Sequence, residues 1–167
     1  MAIIIEKAKA EDAEAILNLT KVCGSETDNL SFGESGIPVS VENEASYIAS
    51  IENSDTDIFF VARDGKEIVG TGNYSSFPKK RMAHRGEFGI SVRKSYWNQG
   101  VGTMLMEHIL DFAKNVARAE IVSLEVRSDN KAAIHLYKKF GFERIGTFRG
   151  YFKIGEELID FDIMELF

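Results

Sequence analysis

Two hydrophobic periodicities alternate along the first half of the chain and predict strands separated by helices. Apolar residues at every second position are typical of a half-buried strand, whereas spacings of three and four are typical of one helix face. Ser40 precedes the second helical stretch and is a common helix cap. The elements predicted here are a strand over residues 3–8, a helix over 11–23 ended by Gly24, a loop over 25–40, a helix with apolar positions up to Ile51, and a hairpin joining 58–62 to 68–70 across Asp64-Gly65.

The second half of the chain continues the alternation of strands and helices and closes on a hairpin. Its long helical stretch carries Val101, Leu105 and Ile109 along one apolar stripe. Gly141 is the expected terminator of the last helix. The elements predicted here are a strand over residues 88–92, a helix over 100–118, a strand over 121–126, a helix over 130–140, and a hairpin of strands over 143–152 and 158–167.

This order of elements predicts a mixed α/β fold in a single domain over residues 1–167. The strand–helix–strand order in the later part predicts parallel pairing through a crossover helix. In open sheets of this kind a ligand binds at the carboxyl ends of the strands, where a helix begins. The most informative place to look for a site is therefore the end of the strand over 88–92.

Composition narrows the class of protein. The apolar fraction of 44% and the charged fraction of 28% are ordinary for one globular domain. No apolar run is long enough to span a membrane, and the first residues lack the features of a signal peptide. The single cysteine, Cys23, allows no internal disulfide, and a net charge of −6 argues against a general nucleic-acid binder. We therefore expect a cytoplasmic protein with neither a membrane nor a nucleic acid as partner.

Charge is divided between two segments of opposite sign. Residues 79–94 contain six basic residues and one acid, whereas residues 22–57 contain eight acids and no lysine or arginine. Either both segments are solvated surface, or the acidic one attracts a cationic ligand and the basic one an anionic ligand. The eight acids are Glu26, Asp28, Glu34, Glu42, Glu44, Glu52, Asp55 and Asp57.

Two glycines at the start of a helix are the strongest chemical signal. Gly100 and Gly102 follow a strand and a polar turn, and they open the helix over 100–118. A glycine in a helix costs roughly 1 kcal/mol against alanine, which favours a close approach of another group to the backbone. The N–H groups from Asn98 to Thr103, together with the helix dipole, suit a pyrophosphate. A tight strand–helix turn without a ligand would use the same glycines, and a dinucleotide-binding turn would carry a third.

Two ordered blocks of sequence resemble the GNAT superfamily of acyl-CoA-dependent N-acyltransferases. The first block, Trp97-Asn98-Gln99-Gly100-Val101-Gly102, matches the Gln/Arg-x-x-Gly-x-Gly/Ala turn of that family at all but its first position. The second begins at Asn130 and continues with Leu136-Tyr137 and Gly141-Phe142. The separation of the two blocks also fits, and the resemblance covers essentially the whole chain. Because Trp97 stands where the family has Gln or Arg, a side-chain contact to the cofactor is affected, but the backbone amides are not.

The resemblance implies a fold and a co-substrate. The fold is a mostly antiparallel sheet of about seven strands, split between the fourth and fifth strands and flanked by helices. The co-substrate is acetyl-CoA, whose pantetheine lies in the split and pairs with strand backbone. The residues implied to bind it are Ile90, Ser91, Val92, Asn98, Gln99, Gly100, Val101, Gly102, Thr103, Asn130, Ala133 and Tyr137. No spacing of histidine and cysteine suggests a metal site, so none is expected.

Acetyl transfer in the family is usually direct, without a covalent enzyme intermediate, and it needs a proton for the departing thiolate. A free thiol has a pKa of about 8.5, so the acid need only be well placed. The resemblance assigns this role to Tyr137, and the following Lys138-Lys139 would lower its pKa. The alternative is that Tyr137 is an amphipathic tyrosine at a contact between helix and sheet.

Two carboxylates compete for the role of general base. Glu87 begins the fourth strand beside the expected split, and Glu125 lies on the fifth strand. Either one takes a proton from the amine, directly or through water, or it is an ordinary carboxylate of the sheet paired with Arg85 or Arg127. Water or another group also stays open as the base.

The amine acceptor is not named by the sequence. A small amine, an amino acid, an antibiotic and a protein or peptide amino terminus all stay open, and the acidic segment favours basic acceptors such as polyamines. Phe32, Phe77 and Phe152 fall in regions that would line an acceptor pocket. The alternatives to an enzyme are a non-catalytic acyl-CoA sensor or scaffold and a nucleotide-binding protein. By analogy with the family a homodimer is expected.

Overall fold

The computed structural model describes residues 2–167, which contain four α-helices and seven strands. The helices are α1 Ala13–Glu26, α2 Val41–Ile51, α3 Val101–Asn115 and α4 Lys131–Lys139. The strands are β1 Ile3–Lys7, β2 Asp57–Asp64, β3 Glu67–Ser76, β4 Arg85–Val92, β5 Ile121–Arg127, β6 Glu143–Ile154 and β7 Glu157–Leu166. Each helix and strand that the hydrophobic pattern predicts is present. None of the helices in the described residues is both long and apolar enough to cross a membrane.

The strands form one sheet in the order β1-β2-β3-β4-β5-β7-β6. Neighbouring strands are antiparallel except for β4 and β5, which are parallel and joined through α3. The predicted crossover is thereby confirmed. β4 and β5 pair only over Arg85–Glu87 and Ile121–Ser123. Beyond this short ladder the two strands separate toward their carboxyl ends, which confirms the predicted split between the fourth and fifth strands.

Helices pack on both faces of the sheet, so that alternate residues of a central strand serve two different cores. Phe60 of β2 joins the core under α3, together with Leu105. Its neighbour Val61 joins the core under α1 and α2, together with Ile16 and Ile48. Burial on both faces explains why β2 is a continuous apolar run rather than an alternating one.

The first helix differs from the prediction at its carboxyl end. α1 continues through Gly24 to Glu26 instead of ending at Gly24. A Cβ atom at Gly24 would lie 1.9 Å from the carbonyl oxygen of Gly33. Glycine is therefore required because the loop over residues 27–40 packs directly against the helix backbone, and not because the helix ends.

Among the other elements, β3, β4 and the third helix differ most from their predicted bounds. β3 and β4 are longer than residues 68–70 and 88–92, because they pair with each other as far as Ser76 and Gly86. The third helix ends at Asn115, before the predicted end at Arg118, which has a positive φ of 55°. Pairing and packing, which a local pattern does not contain, decide these boundaries.

Candidate functional site

The split between β4 and β5 opens into a cleft with a volume of about 440 Å³. Its walls come from β4, β5 and α4, from the β6–β7 hairpin, and from α1, α2 and the loop between them. The predicted site residues that line it together are Ile90, Ser91, Glu125, Asn130 and Tyr137. Those that lie outside its lining are Glu87, Val92, Asn98, Gln99, Gly100, Val101, Gly102, Thr103 and Ala133.

The open edge of β4 presents backbone groups to the split. Arg93 donates its N–H to the carbonyl oxygen of Val69 on β3, at 2.9 Å. Because backbone polar groups alternate in direction along a strand, those of Val92 and Ile90 face away from β3 and toward the split. The Val92 carbonyl oxygen accepts a hydrogen bond from the indole Nε1 of Trp97, at 2.8 Å. Ile90 therefore offers both of its backbone groups to the split, whereas the Val92 carbonyl oxygen already accepts one hydrogen bond.

The turn that follows β4 has the geometry of an anion site. Asn98 and Gly100 both have positive φ, of 59° and 85°, and Gly100 is the N-cap residue of α3. The first hydrogen bond of the helix runs from the Met104 N–H to the Gly100 carbonyl oxygen, at 3.0 Å. The N–H groups of residues 101–103 precede that bond and have no partner inside the helix. These donors and the positive end of the helix dipole can bind a phosphate.

Asn130 positions the first turn of α4 beside the cleft. Its side-chain Oδ1 accepts a hydrogen bond from the Ala133 N–H at 3.3 Å, which is the predicted cap. Asn130 also lines the cleft. The cap therefore leaves room for a second role, because an amide side chain also carries N–H donors.

Tyr137 lies in the last turn of α4, with its ring in an aromatic cluster. The ring centroid is 5.7 Å from that of Phe88 and 6.1 Å from that of Phe142, in edge contacts. Burial raises the pKa of Tyr137 to about 12. The expectation that Lys138-Lys139 lower this pKa is therefore wrong, because burial disfavours the phenolate. The result is a phenol that stays protonated at neutral pH and lines the cleft.

The two candidate bases lie on one face of the sheet but in different surroundings. Glu87 is the register partner of Ser123, so their side chains lie on the same face of the sheet. Glu125 is two residues after Ser123, and its side chain therefore lies on that face as well. Both side chains are exposed, but Glu125 lines the cleft and Glu87 lies outside its lining. Burial, and then the charge of Glu87, raise the pKa of Glu125. A raised pKa makes Glu125 a stronger proton acceptor than an ordinary carboxylate.

The alternative for the two candidate bases was an ion pair with Arg85 or Arg127. Both arginines pair with other carboxylates instead. The Arg85 guanidinium contacts Glu165 at 2.6 Å, and that of Arg127 contacts Asp129 at 2.7 Å. Within residues 2–167, neither Glu87 nor Glu125 forms a salt bridge. Both carboxylates are therefore available for another role.

The cleft also contains residues that the sequence analysis did not single out as site residues. Glu44 of α2, Asn73 of β3 and Tyr151 of β6 line it, with Phe32 and Phe152 as expected, whereas Phe77 does not line it. One sequence signal for Glu44 existed. Glu44 lies one helical turn before Ile48 and two turns before Ile51, so it falls on the apolar stripe of α2. A charged residue is unusual on such a stripe.

Comparison with known proteins gives a consistent result. A model described as "Acetyltransferase (GNAT) family" matches residues 13–142. The chain is 37% identical over 93 residues to N-alpha-acetyltransferase RimI of Mycobacterium tuberculosis, a match that covers 56% of each chain. It is 34% identical over 94 residues to L-amino acid N-acetyltransferase AaaT of Escherichia coli, which is 56% of this chain and 58% of that protein. The chain thus spans little more than half the length of these two relatives.

Similarity to a solved structure extends over the whole chain. The crystal structure of an acetyltransferase of the GNAT family from Streptococcus pneumoniae superposes with a TM-score of 0.94 at 30% sequence identity. The superposition covers 99% of this chain and 98% of that one. The split sheet and its flanking helices are therefore shared over the full length.

Proposed function

Because the chain belongs to the acetyltransferase (GNAT) family, we propose that it is an acetyl-CoA-dependent N-acetyltransferase that works by direct transfer in a ternary complex. The observation that carries this proposal is the cleft, which Tyr137 and Glu125 both line at the open edge of β4. Acetyl transfer to an amine requires a proton acceptor for the amine and a proton donor for the thiolate within one cavity. The raised pKa of Glu125 strengthens it as a base, and the Tyr137 phenol carries its proton at neutral pH, as a proton donor must.

Acetyl-CoA is proposed to occupy the open edge of β4 and the turn that follows it. Pantetheine amides would pair with the Ile90 backbone as an added strand. The Val92 N–H would donate a further hydrogen bond to pantetheine. The pyrophosphate would accept hydrogen bonds from the first N–H groups of α3. Asn130 would bond the pantetheine arm while it caps α4. This placement is supported by the backbone groups of Ile90 and Val92, which point into the split and not toward β3.

The proposed reaction forms one bond and breaks one. The amine nitrogen attacks the thioester carbonyl carbon, so that a C–N bond forms, and the C–S bond breaks as the tetrahedral intermediate collapses. Glu125 accepts the proton that the amine loses, and Tyr137 donates a proton to the departing thiolate. The products are the N-acetylated amine and the free thiol of coenzyme A. Glu87 would act through its charge, by raising the pKa of Glu125.

The single cysteine supports direct transfer and a cytoplasmic location. Cys23 is 1% exposed, and burial, followed by the charge of Glu26, raises its pKa to about 11. A thiol that is buried and protonated at neutral pH is a poor nucleophile, which argues against an acyl-cysteine intermediate. A free thiol is also typical of proteins in reducing compartments.

We propose a primary amine as the acceptor, on a small molecule, an amino acid or a protein amino terminus. The names of the two relatives, an N-alpha-acetyltransferase and an L-amino acid N-acetyltransferase, support this class. Release of coenzyme A thiol, measured with acetyl-CoA and a panel of peptides, amino acids, monoamines and diamines, tests the proposal. Thiol release that depends on an amine is expected. Binding of acetyl-CoA without turnover of any amine class would instead favour a sensor or scaffold.

Gly102→Glu is expected to weaken acetyl-CoA binding by about tenfold or more, or about 1.4 kcal/mol. The new carboxylate would lie beside the free N–H groups of α3 and repel the pyrophosphate. Gly102 is the better position for this test, since Gly100 has a φ of +85° and would be strained by any side chain. A Cβ at Gly102 meets only the Leu136 Cδ2 atom, at 3.3 Å. Calorimetric titration of the folded variant with acetyl-CoA measures the change.

Gly102→Ala is the matched control for this prediction. It adds the same Cβ without a charge, and alanine favours the helix, so the affinity should stay within about twofold. If alanine weakens binding as much as glutamate, the effect is steric and does not report a phosphate. Unchanged affinity in the glutamate variant would contradict the proposed cofactor site.

We further propose that two copies of the chain associate through the β6–β7 hairpin. β6 is an edge strand, and the exposed fractions of Ile145 and Leu158 are 55% and 65%. Phe148 and Tyr151 stack on the same hairpin with their centroids 4.8 Å apart. Light scattering at micromolar concentration should give twice the chain mass of 18.7 kDa, and Leu158→Asp should halve it. A monomeric mass for the unchanged chain would contradict this proposal.

A further inference from the structure

Glu44 is a buried carboxylate at the α2 end of the cleft. It lies in the first turn of α2 and is 9% exposed, yet it lines the cleft together with Phe59 of β2 and Asn73 of β3. It is the one member of the acidic segment over residues 22–57 that lines this cavity. Most of the Glu44 side chain is thus shielded from bulk water, and it borders the cavity in which a substrate would lie.

No group of residues 2–167 neutralises this carboxylate. Burial alone raises the pKa of Glu44, with no basic side chain or hydrogen-bond donor acting in the opposite direction. Arg127 is the basic residue in the lining, and its guanidinium is held by Asp129 at 2.7 Å. A largely buried carboxylate without an ion pair adds little to the stability of a fold, so its position favours a role in binding.

We infer that Glu44 binds a second cationic group of the amine acceptor, so that the acceptor is a diamine or another amine with a positively charged tail. The inference rests on the proposed function, since it assumes that an amine enters this cleft. A buried carboxylate that meets an ammonium group forms a charge-assisted hydrogen bond, which is among the stronger polar contacts. A neutral tail would leave Glu44 unpaired on binding, and this cost creates the selectivity.

The register of the sheet gives the width of the cleft floor between β2 and the split, which guides the choice of acceptor length. Phe59, Asn73 and Gly89 are partners across β2, β3 and β4, in one row that ends at the split. Two interstrand spacings separate the ends of this row, which is roughly 10 Å. The extended chain of diaminohexane has a length of this order. Hexylamine has the same chain with one amine and is the matched acceptor with a neutral tail.

The alternative hypothesis is that Glu44 stabilises the amino end of α2 through the helix dipole. Glu42 lies in the same first turn but is exposed, so its removal changes the net charge equally at the same end of the helix. Glu42→Gln is therefore the matched control for Glu44→Gln. The two variants differ in whether the lost charge faces the cleft.

The experiment measures binding of the two amines, by calorimetry, to the protein saturated with coenzyme A. The unchanged protein should bind diaminohexane about tenfold or more tightly than hexylamine. Glu44→Gln should abolish this preference, and Glu42→Gln should keep it within about twofold. The melting temperature of Glu44→Gln should stay equal or rise, because an unpaired buried charge is removed.

Equal binding of the two amines by the unchanged protein, or equal loss of the preference in both variants, would overturn the inference. A fall in the melting temperature of Glu44→Gln with the preference intact would assign Glu44 to the helix instead. Failure of the proposed function is a separate result, since it shows as absence of thiol release with every amine. The binding preference and its dependence on Glu44 are measured without turnover.

Discussion

Tyr137→Phe is expected to lower kcat by about 10²-fold or more while the affinity for acetyl-CoA stays within about twofold. Phenylalanine keeps the edge contacts of the ring with Phe88 and Phe142. Only the hydroxyl is lost, and burial holds that hydroxyl in its protonated form by raising the pKa to about 12. The loss should therefore fall on proton transfer to the departing thiolate, and steady-state kinetics with calorimetric titration separates it from binding.

A thioester with a more acidic thiol distinguishes an acid from a merely structural tyrosine. Such a leaving group needs less protonation, so the defect of Tyr137→Phe should shrink with it. Tyr96→Phe is the matched control, since the Tyr96 hydroxyl donates to Asp64 at 2.8 Å, outside the cleft lining. Its kcat should change by less than about twofold. A kcat of Tyr137→Phe within about twofold of the unchanged protein would mean that water protonates the thiolate.

Glu125→Gln is expected to lower kcat/KM by about 10²-fold, because it removes the proposed proton acceptor from the cleft. Glu87→Gln removes one charge from the same face of the sheet but outside the cleft, and should cost less than about fivefold. The amide has nearly the same shape as the carboxylate, so neither change disturbs packing. The measurement is kcat/KM for one amine across pH in the three proteins.

The pH profile of Glu87→Gln adds a second readout. Because the charge of Glu87 raises the pKa of Glu125, its removal should lower that pKa. A base is inactive when protonated, so the acid limb of the profile should move to lower pH. A larger loss in Glu87→Gln than in Glu125→Gln would assign the base to Glu87. Small losses in both variants would assign the role to water.

Local signals made the turn before α3 and the cap of α4 predictable. Gly100 and Gly102 at the start of α3, and Asn130 at the cap of α4, have conformational roles that depend on a few neighbouring residues. Such roles leave a trace in the sequence because few residue types tolerate them. The sequence shows that Trp97 departs from the family pattern, but it does not show what the indole contacts. The hydrogen bond from Trp97 to the Val92 carbonyl oxygen depends on how the turn folds back on β4.

Nonlocal contacts decide the surroundings of the two candidate bases, which could not be predicted from the sequence. Glu87 and Glu125 are alike in sequence terms, and only the place where β4 and β5 separate puts one in the cleft and the other outside it. Gly24 shows the same limit, since its close contact is with Gly33, beyond the end of the helix. The direction of the Tyr137 pKa shift was also set by burial among residues of other elements and not by the adjacent lysines.

The order and type of the elements, the crossover and the family could all be predicted from the sequence alone. Hydrophobic period, capping and glycine placement are properties of short stretches of chain, so a single sequence displays them. Three features became visible only in the folded structure. They are the carboxylate that lines the cleft, the hydrogen bond from Trp97 to the Val92 carbonyl oxygen, and the burial of Glu44 beside the cleft without an ion pair. Burial and pairing depend on groups brought together from distant parts of the chain, and desolvation acts on a charge only after they meet.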